Sequence, residues 1–360
     1  MSNRAAGGGR RADALGVSVA SNSLRRGRIL SGPPSAGDDN AAKSNAPAGA
    51  VPFVLADAAR IMPVVGADAN KYSRGKLVVL GGCADYPAAP VMSALAAQRI
   101  GAGYTALVLP ASAAVAVRAH ILSTTVTPLP EDAGPLCATS VAKAHEALAK
   151  AAAFVVGPGM GRDAAAAEFL SEFLAGEAAR SCPGVLDADA LFLIARNCEA
   201  FLCARAKAAP LVLTPHCGEA ARLLGEDRKV EDPAGCALEL ARKWECVVAL
   251  KGPDTYVASP SGQLRVVTNG GPELAKAGTG DVLAGVIGAL LAQGVEAFGA
   301  ACLGVYLHAK AGALAAAELG VSSVIPEDLP RFLPRAIRSL ESASFELAAA
   351  QQDAERRALL

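Results

Sequence analysis

The chain has 360 residues, of which 52% are hydrophobic and only 4% aromatic, so its core is aliphatic and alanine-rich, as in an α/β fold with a buried parallel sheet. A formal net charge of +0 provides no whole-chain field to draw in nucleic acid or a membrane surface, and no run of about 18 apolar residues marks a transmembrane helix. The nine cysteines include no CxxC pair, and Cys198 and Cys203 lack zinc-site spacing, so they read as reduced thiols of a reducing compartment, the cytoplasm.

Residues 1–50 hold Gly7–Gly9, arginines at 10, 11, 25, 26 and 28, and a Gly/Pro/Ser/Ala stretch from Ser31 to Ala50. This composition predicts a disordered tail without a secretory h-region; arginine with little acid faintly resembles a transit peptide. One domain is expected over 51–342, followed by a polar tail over 343–360. Lys76–Leu80 reads as a buried strand ending in Gly81-Gly82, and Pro90–Ile100 as a helix with proline in its first turn. Thr105–Leu109 and Ala153–Val156 are further strands, the second leading into GPGMG at 157–161 and a helix from about Asp163 to Leu174. Val185-Leu186 enters Asp187-Ala188-Asp189 and a helix to about Asn197. Leu211–Thr214 enters Pro215-His216-Cys217-Gly218-Glu219 and another helix. Val247–Leu250 enters Lys251–Thr255, and strands near Tyr256–Ala258 and Leu264–Val267 flank the hairpin signal Ser261-Gly262. A helix starting near Asp281 follows, with large apolar residues at 282, 283, 286, 287, 290 and 291, then two more helices to about Glu341. This strand–loop–helix alternation predicts a doubly wound sheet with ligands beyond the carboxyl ends of its strands, where the glycine- and acid-rich segments all fall.

Walker-type GxxxxGK[ST], GxGxxG, HExxH and GxSxG are all absent. The main candidate is AGTGD at 277–281. The N–H groups of Gly278, Thr279 and Gly280 at a helix start make an anion site, and Asp281 is either a cap or a base that takes a proton from an attacking hydroxyl. Lys251-Gly252-Pro253-Asp254-Thr255 is either a surface turn or a nucleotide cradle with lysine as the phosphate-binding charge. His216, one of four histidines, sits at a strand end facing the expected crevice. His308 reads as a packed core histidine, and His120 and His145 carry no signal. Asp187 and Asp189 read as helix caps, with a metal–water shell as the alternative.

The ordered set GGCADYPAAP (81–90), VGPGMG (156–161), LDADAL (186–191), LTPHCGEAARL (213–223), LKGPDT (250–255) and AGTGDVLAG (277–285) resembles the ADP/ATP-dependent NAD(P)H-hydrate dehydratase family over about residues 51–340. The resemblance implies a ribokinase-like fold: a doubly wound, mostly parallel sheet with helices on both faces. It implies phosphorylation, by ADP or ATP with Mg2+, of the hydroxyl added to a hydrated nicotinamide ring. Phosphate elimination would then restore NADH or NADPH. Asp281 would be the base, and Gly278, Thr279 and Gly280 the phosphoryl cradle. Lys251, Gly252, Pro253, Asp254, Thr255 and Gly280 would hold the nucleotide, and Ala89, Gly161, His216 and Asp281 the hydrate. Metal ligands are not legible. Stand-alone bacterial members favour ADP, and the family suggests a homotetramer. Residues 1–50 are too short to form the epimerase domain often fused to the family, so action on the S epimer, with a separate epimerase as partner, is expected. Asn70-Lys71-Tyr72 replaces the family's His-Lys-Gly turn, and Ala88 replaces a glycine. The rival readings are a ribokinase-like small-molecule kinase that releases its phosphorylated product, and a nucleotide sensor on the same fold, against which an intact Asp281 argues.

Overall fold

The computed structural model describes residues 49–131, 138–198, 201, 208–225 and 229–358. The expected N-terminal tail lies outside them as far as residue 48. Among the described residues the strands are β1 (Val51–Pro52), β2 (Lys76–Leu80), β3 (Tyr104–Pro110), β4 (Thr125–Leu129), β5 (Ala153–Val156), β6 (Gly184–Leu186), β7 (Leu211–Leu213), β8 (Val247–Leu250), β9 (Thr255–Ala258) and β10 (Leu264–Val267). They form one sheet in the order β1-β10-β9-β8-β7-β6-β5-β2-β3-β4. Strands β2 to β8 run parallel, and β9 is antiparallel to β8 and β10, the latter closing the expected hairpin at Gly262 (φ +93°).

The chain leaves β2 outward through β3 and β4, then returns to the other side of β2 with β5 and continues to β8. The order therefore reverses between β2 and β5, which is where a doubly wound sheet opens a crevice. The loops after these two strands touch there: the Gly82 amide donates to the Pro158 carbonyl (2.8 Å), and a Cβ on Gly81 would stand 2.2 Å from the same oxygen.

Alternation along each strand divides the core. Leu77, Val79, Leu107, Leu109, Val155, Val185 and Val212 face one side, under the helices Ala89–Ile100, Thr279–Ala292 and Ala297–Leu319. Val78, Leu80, Val108, Phe154, Val156, Leu186 and Leu213 face the other, under Ala138–Leu148, Ala164–Ala175, Asp189–Ala195, Cys217–Leu224 and Pro233–Trp244. Ala297–Leu319, with 23 residues and a mean hydropathy of 1.3, is long and apolar enough to cross a bilayer, although His308, Lys310 and Glu318 interrupt its apolar sequence. However, 72% of its apolar window is buried in the protein, so it is a core helix. The last helix, Leu329–Ala358, continues beyond Glu341 because residues 342–358 are mostly helix formers without a breaker.

The Thr279–Ala292 and Ala89–Ile100 helices meet at backbone distance. A Cβ on Gly285 would stand 2.1 Å from the Ser93 carbonyl oxygen, and the buried Ser93 hydroxyl donates to the Asp281 carbonyl oxygen (2.7 Å).

Candidate active site

The predicted apolar stripe at 282, 283, 286, 287, 290 and 291 is buried, which fixes the start of its helix at the crevice. The helix begins at Thr279 behind Gly278, whose φ of +97° favours glycine. No side chain caps this end, so Asp281, in the first turn, is not a cap. Among the described residues the Asp281 carboxylate makes no hydrogen bond. Its pKa is pushed up to about 7, first by burial and then by the charge of Asp187, against the pull of Lys251. A carboxylate poised there suits general-base work near neutral pH.

Of the three amides expected to hold a phosphoryl group, that of Thr279 already donates to the Lys276 carbonyl (3.3 Å). Those of Gly278, Gly280 and Asp281 have no partner among the described residues. The Thr279 hydroxyl lies 2.8 Å from the Leu274 carbonyl oxygen and 2.9 Å from that of Lys276, which pins the loop entering the helix. Lys276 Nζ is held by the Ser322 carbonyl (2.8 Å) and by that of Val324. Gly280 has no side chain for a close-approach reason: a Cβ would lie 3.2 Å from Lys251 Nζ and 3.6 Å from Asp187 Oδ2.

Asp187, at the end of β6, is buried, and its Oδ1 accepts from Lys251 Nζ (2.8 Å) and the Thr214 hydroxyl (2.7 Å). It is therefore the counterion of Lys251 and not the cap the sequence suggests; the N-cap is Ala188, at φ +51°, with no side-chain cap bond. Asp189, in the first turn of that helix, accepts from the Gly161 amide (3.0 Å) and Arg162 Nε (2.5 Å). Burial works against the Lys251 charge, but the negative charges of Asp187, Glu219 and Asp281 more than offset it, so the lysine pKa is raised and the cation persists.

His216 caps the Cys217–Leu224 helix. Its Nδ1 accepts from the amides of Gly218 (3.0 Å) and Glu219 (3.4 Å), while Glu219 Oε2 accepts from the His216 amide (2.9 Å). With Nδ1 accepting, the neutral ring carries its proton on Nε2. His308 is buried, as a core histidine should be, yet it also forms part of the site wall: its Nε2 lies 3.0 Å from the Thr279 carbonyl. Burial holds its pKa down near 4, against the pull of that carbonyl, so it is neutral.

These groups enclose a cavity of about 820 Å³. His216, Lys251, Gly252, Pro253, Thr255, Gly278, Thr279, Gly280 and Asp281 lie on its wall, as do Asp187, Ala188 and the Gly270–Pro272 loop. Asp254, Ala89 and Gly161 do not, and Asp254 is exposed. Ala89 stands one turn before Ser93 beside Gly159, where an added Cβ would meet Ala89 Cβ at 3.1 Å, and Gly161 reaches the site through Asp189. Of the departures from the family pattern, Asn70 closes an exposed turn, accepting from the Tyr72 (2.9 Å) and Ser73 (3.1 Å) amides; Ala88 has an ordinary φ of −90°, so its methyl group strains nothing. The Asp187–Lys251 pair and the Ser93 bond were not legible from the sequence: DAD and LKG are recognisable as strand ends, but nothing local says that they meet.

The family model for NAD(P)H-hydrate dehydratase matches residues 77–335. A bifunctional NAD(P)H-hydrate repair enzyme of Moorella thermoacetica is 36% identical over 78% of this chain and 52% of its own length, so the chain spans about half of that relative. An ADP-dependent (S)-NAD(P)H-hydrate dehydratase of Xanthomonas campestris is 35% identical over 78% of this chain and 94% of its own. The crystal structure of an ADP/ATP-dependent NAD(P)H-hydrate dehydratase from Bacillus subtilis, co-crystallized with ATP/Mg2+, shares the ribokinase-like fold, with a TM-score of 0.67 at 24% identity over 81% of this chain and 99% of that one. Motifs, fold and relatives agree that the chain belongs to the NAD(P)H-hydrate dehydratase family.

Proposed function

We propose that the protein dehydrates the S epimer of hydrated NADH or NADPH at the expense of ADP or ATP, restoring the reduced dinucleotide. The observation that carries this reading is the unpartnered Asp281 carboxylate, poised near pH 7 and facing Lys251, in a cavity that joins the Lys251–Thr255 loop to His216. Asp281 takes the proton of the ring hydroxyl, whose oxygen attacks the terminal phosphorus of the nucleotide; the bond from that phosphorus to its bridging oxygen breaks, and AMP leaves from ADP, or ADP from ATP. The free amides of Gly278 and Gly280 hold the moving phosphoryl group, and Lys251 offsets its charge. The C–O bond then breaks, phosphate leaves with the electron pair, a ring proton is lost, and the double bond of the reduced nicotinamide returns. His216 offers Nε2–H to the substrate.

The residues fit Mg2+ held mainly by phosphate oxygens and water. Among the described residues no group of three or more His, Cys, Asp or Glu could ring a metal. Asp187, Glu219 and Asp281 put three carboxylates on the wall, and Mg2+ takes one or two from a protein when phosphates supply the rest. When bound, the metal neutralises phosphate charge. ADP as preferred donor, a homotetramer and a cytoplasmic setting belong to the same proposal.

The test incubates the protein with chemically hydrated NADH, Mg2+ and either ADP or ATP, and follows absorbance of the reduced nicotinamide. Recovery is expected, faster with ADP. No recovery with either nucleotide sinks the assignment, and a stable phosphorylated product without recovery would identify a kinase.

A further inference from the structure

Outside the cavity, along the helices that lead away from it, three arginines converge on one ring. The guanidinium carbons of Arg162, Arg222 and Arg196 lie 4.8, 5.0 and 5.7 Å from the centroid of Phe192. All three side chains are exposed, and Phe192 is half-buried. No two of these cations are more than about 11 Å apart, close to the ~10 Å screening length of 0.1 M salt, so they repel one another. A ring has only two faces, so two of them share one. Arg162 is paired with Asp189, whereas Arg196 and Arg222 form no ion pair among the described residues. The cluster therefore carries surplus positive charge, presented as planar forks whose donors match phosphate oxygens.

Its position gives that charge a use. Arg162 follows Gly161 directly, Arg222 lies on the helix that His216 caps, and Phe192 is one turn beyond Ala188 on the wall of the cavity. At 1.5 Å per helical residue, Phe192 stands about 6 Å along its axis from Ala188, and Arg222 about 9 Å from His216. A dinucleotide with its hydrated ring at Asp281, whose tail leaves the cavity past His216 and runs along these helices, brings its remaining phosphates to these arginines.

We propose that Arg162, Arg196 and Arg222, gathered on Phe192, form a subsite for a phosphate group of the dinucleotide substrate, separate from the cradle for the transferred phosphoryl group. The proposal rests on the reading that the substrate is a hydrated dinucleotide. Two phosphates could occupy the subsite, the pyrophosphate or the one on the adenosine ribose of NADPHX, and the test separates them. The Arg196→Gln/Arg222→Gln double variant is titrated calorimetrically with NADPH and with NADH, which needs no turnover. We expect at least a tenfold rise in Kd for NADPH. A rise confined to NADPH identifies the ribose phosphate, and an equal rise for NADH the pyrophosphate; both sustain the subsite. Changes below twofold for both dinucleotides, in a variant that melts like the wild type, overturn it. If the double variant melts early, Arg196→Lys and Arg222→Lys, which keep the charge and lose the fork, replace it, with at least a threefold rise expected and less than that refuting. The wild type supplies a further check: raising KCl should weaken NADPH binding more steeply than in the variants, and equal slopes count against the subsite. Because binding is read without chemistry, intact dinucleotide binding with no dehydration of either hydrate would overturn the assigned reaction and leave the subsite standing.

Discussion

Replacing Asp281 with asparagine should stabilise the protein while disabling it. The carboxyl pKa rises from 3.8 to about 7 on folding. Between those values the folded protein holds a proton that the unfolded chain has released, so the contribution of this group to stability falls as pH rises through that window and is fully unfavourable above it. At about 1.36 kcal/mol per unit, the whole shift corresponds to roughly 4 kcal/mol. Asp281 is only half-buried, and cavity water screens its charge, so about 2 kcal/mol is the better expectation. Asp281→Asn removes the penalty without changing side-chain size. Its melting midpoint at pH 8 should exceed that of the wild type by roughly 4 °C. At pH 4, where the folded acid is protonated and the unfolded one about 40% so, most of the difference should vanish. Turnover should fall by about 10²–10⁴ at either end of the active pH range, as for loss of a general base. Scanning fluorimetry at the two pH values, with the nicotinamide assay, decides the matter. A variant no more stable than wild type at pH 8, or equally stabilised at both pH values, refutes the desolvation argument. Activity within tenfold of wild type refutes the base assignment.

The same shift predicts that kcat/KM rises with pH through about 7 as Asp281 ionises in the free enzyme; a flat profile from pH 5.5 to 8.5 would contradict it. Lys251→Met leaves the Asp187 carboxylate, only 2% exposed, without its cation, and should cost about 3 kcal/mol in a denaturant titration as well as weaken nucleotide binding. A loss below 1 kcal/mol would show that Thr214 alone satisfies Asp187. Gly280→Ala puts a methyl 3.2 Å from Lys251 Nζ, the free end of a flexible side chain. Its melting point should hold while kcat/KM falls at least tenfold, and unchanged activity would mean that no phosphoryl group passes Gly280.

The central strands were legible because each is a short aliphatic run between glycines or acids, and burial on both faces of a parallel sheet requires that pattern. β4 was not read: Thr125–Leu129 carries Pro128, which argues against a central strand, and β4 is indeed an edge. Pro233–Trp244 was not read either, although it carried Asp232 as N-cap, proline in the first turn and an apolar face that includes Leu240 and Trp244. Within the site, Asp281, Lys251 and His216 could be named because each sits at a strand end or helix start. Their electrostatics could not, because Asp187 meets Lys251 across 64 residues and only the sheet order places β6 and β8 on either side of β7. His308 looked like core because it is core; its role as cavity wall depends on which turn of Ala297–Leu319 passes Thr279.

The contact of Gly285 with the Ser93 carbonyl also bears on how the protein moves. With no side chain between them, and with Ser93 bonded to the first turn of its neighbour, the Ala89–Ile100 and Thr279–Ala292 helices can neither slide nor rotate past one another without breaking backbone packing. They behave as one rigid body carrying Asp281 and the amides of Gly278 and Gly280. Any motion that admits substrate then comes from the rest of the cavity wall, so a hinge sought by hydrogen exchange does not lie beneath Asp281.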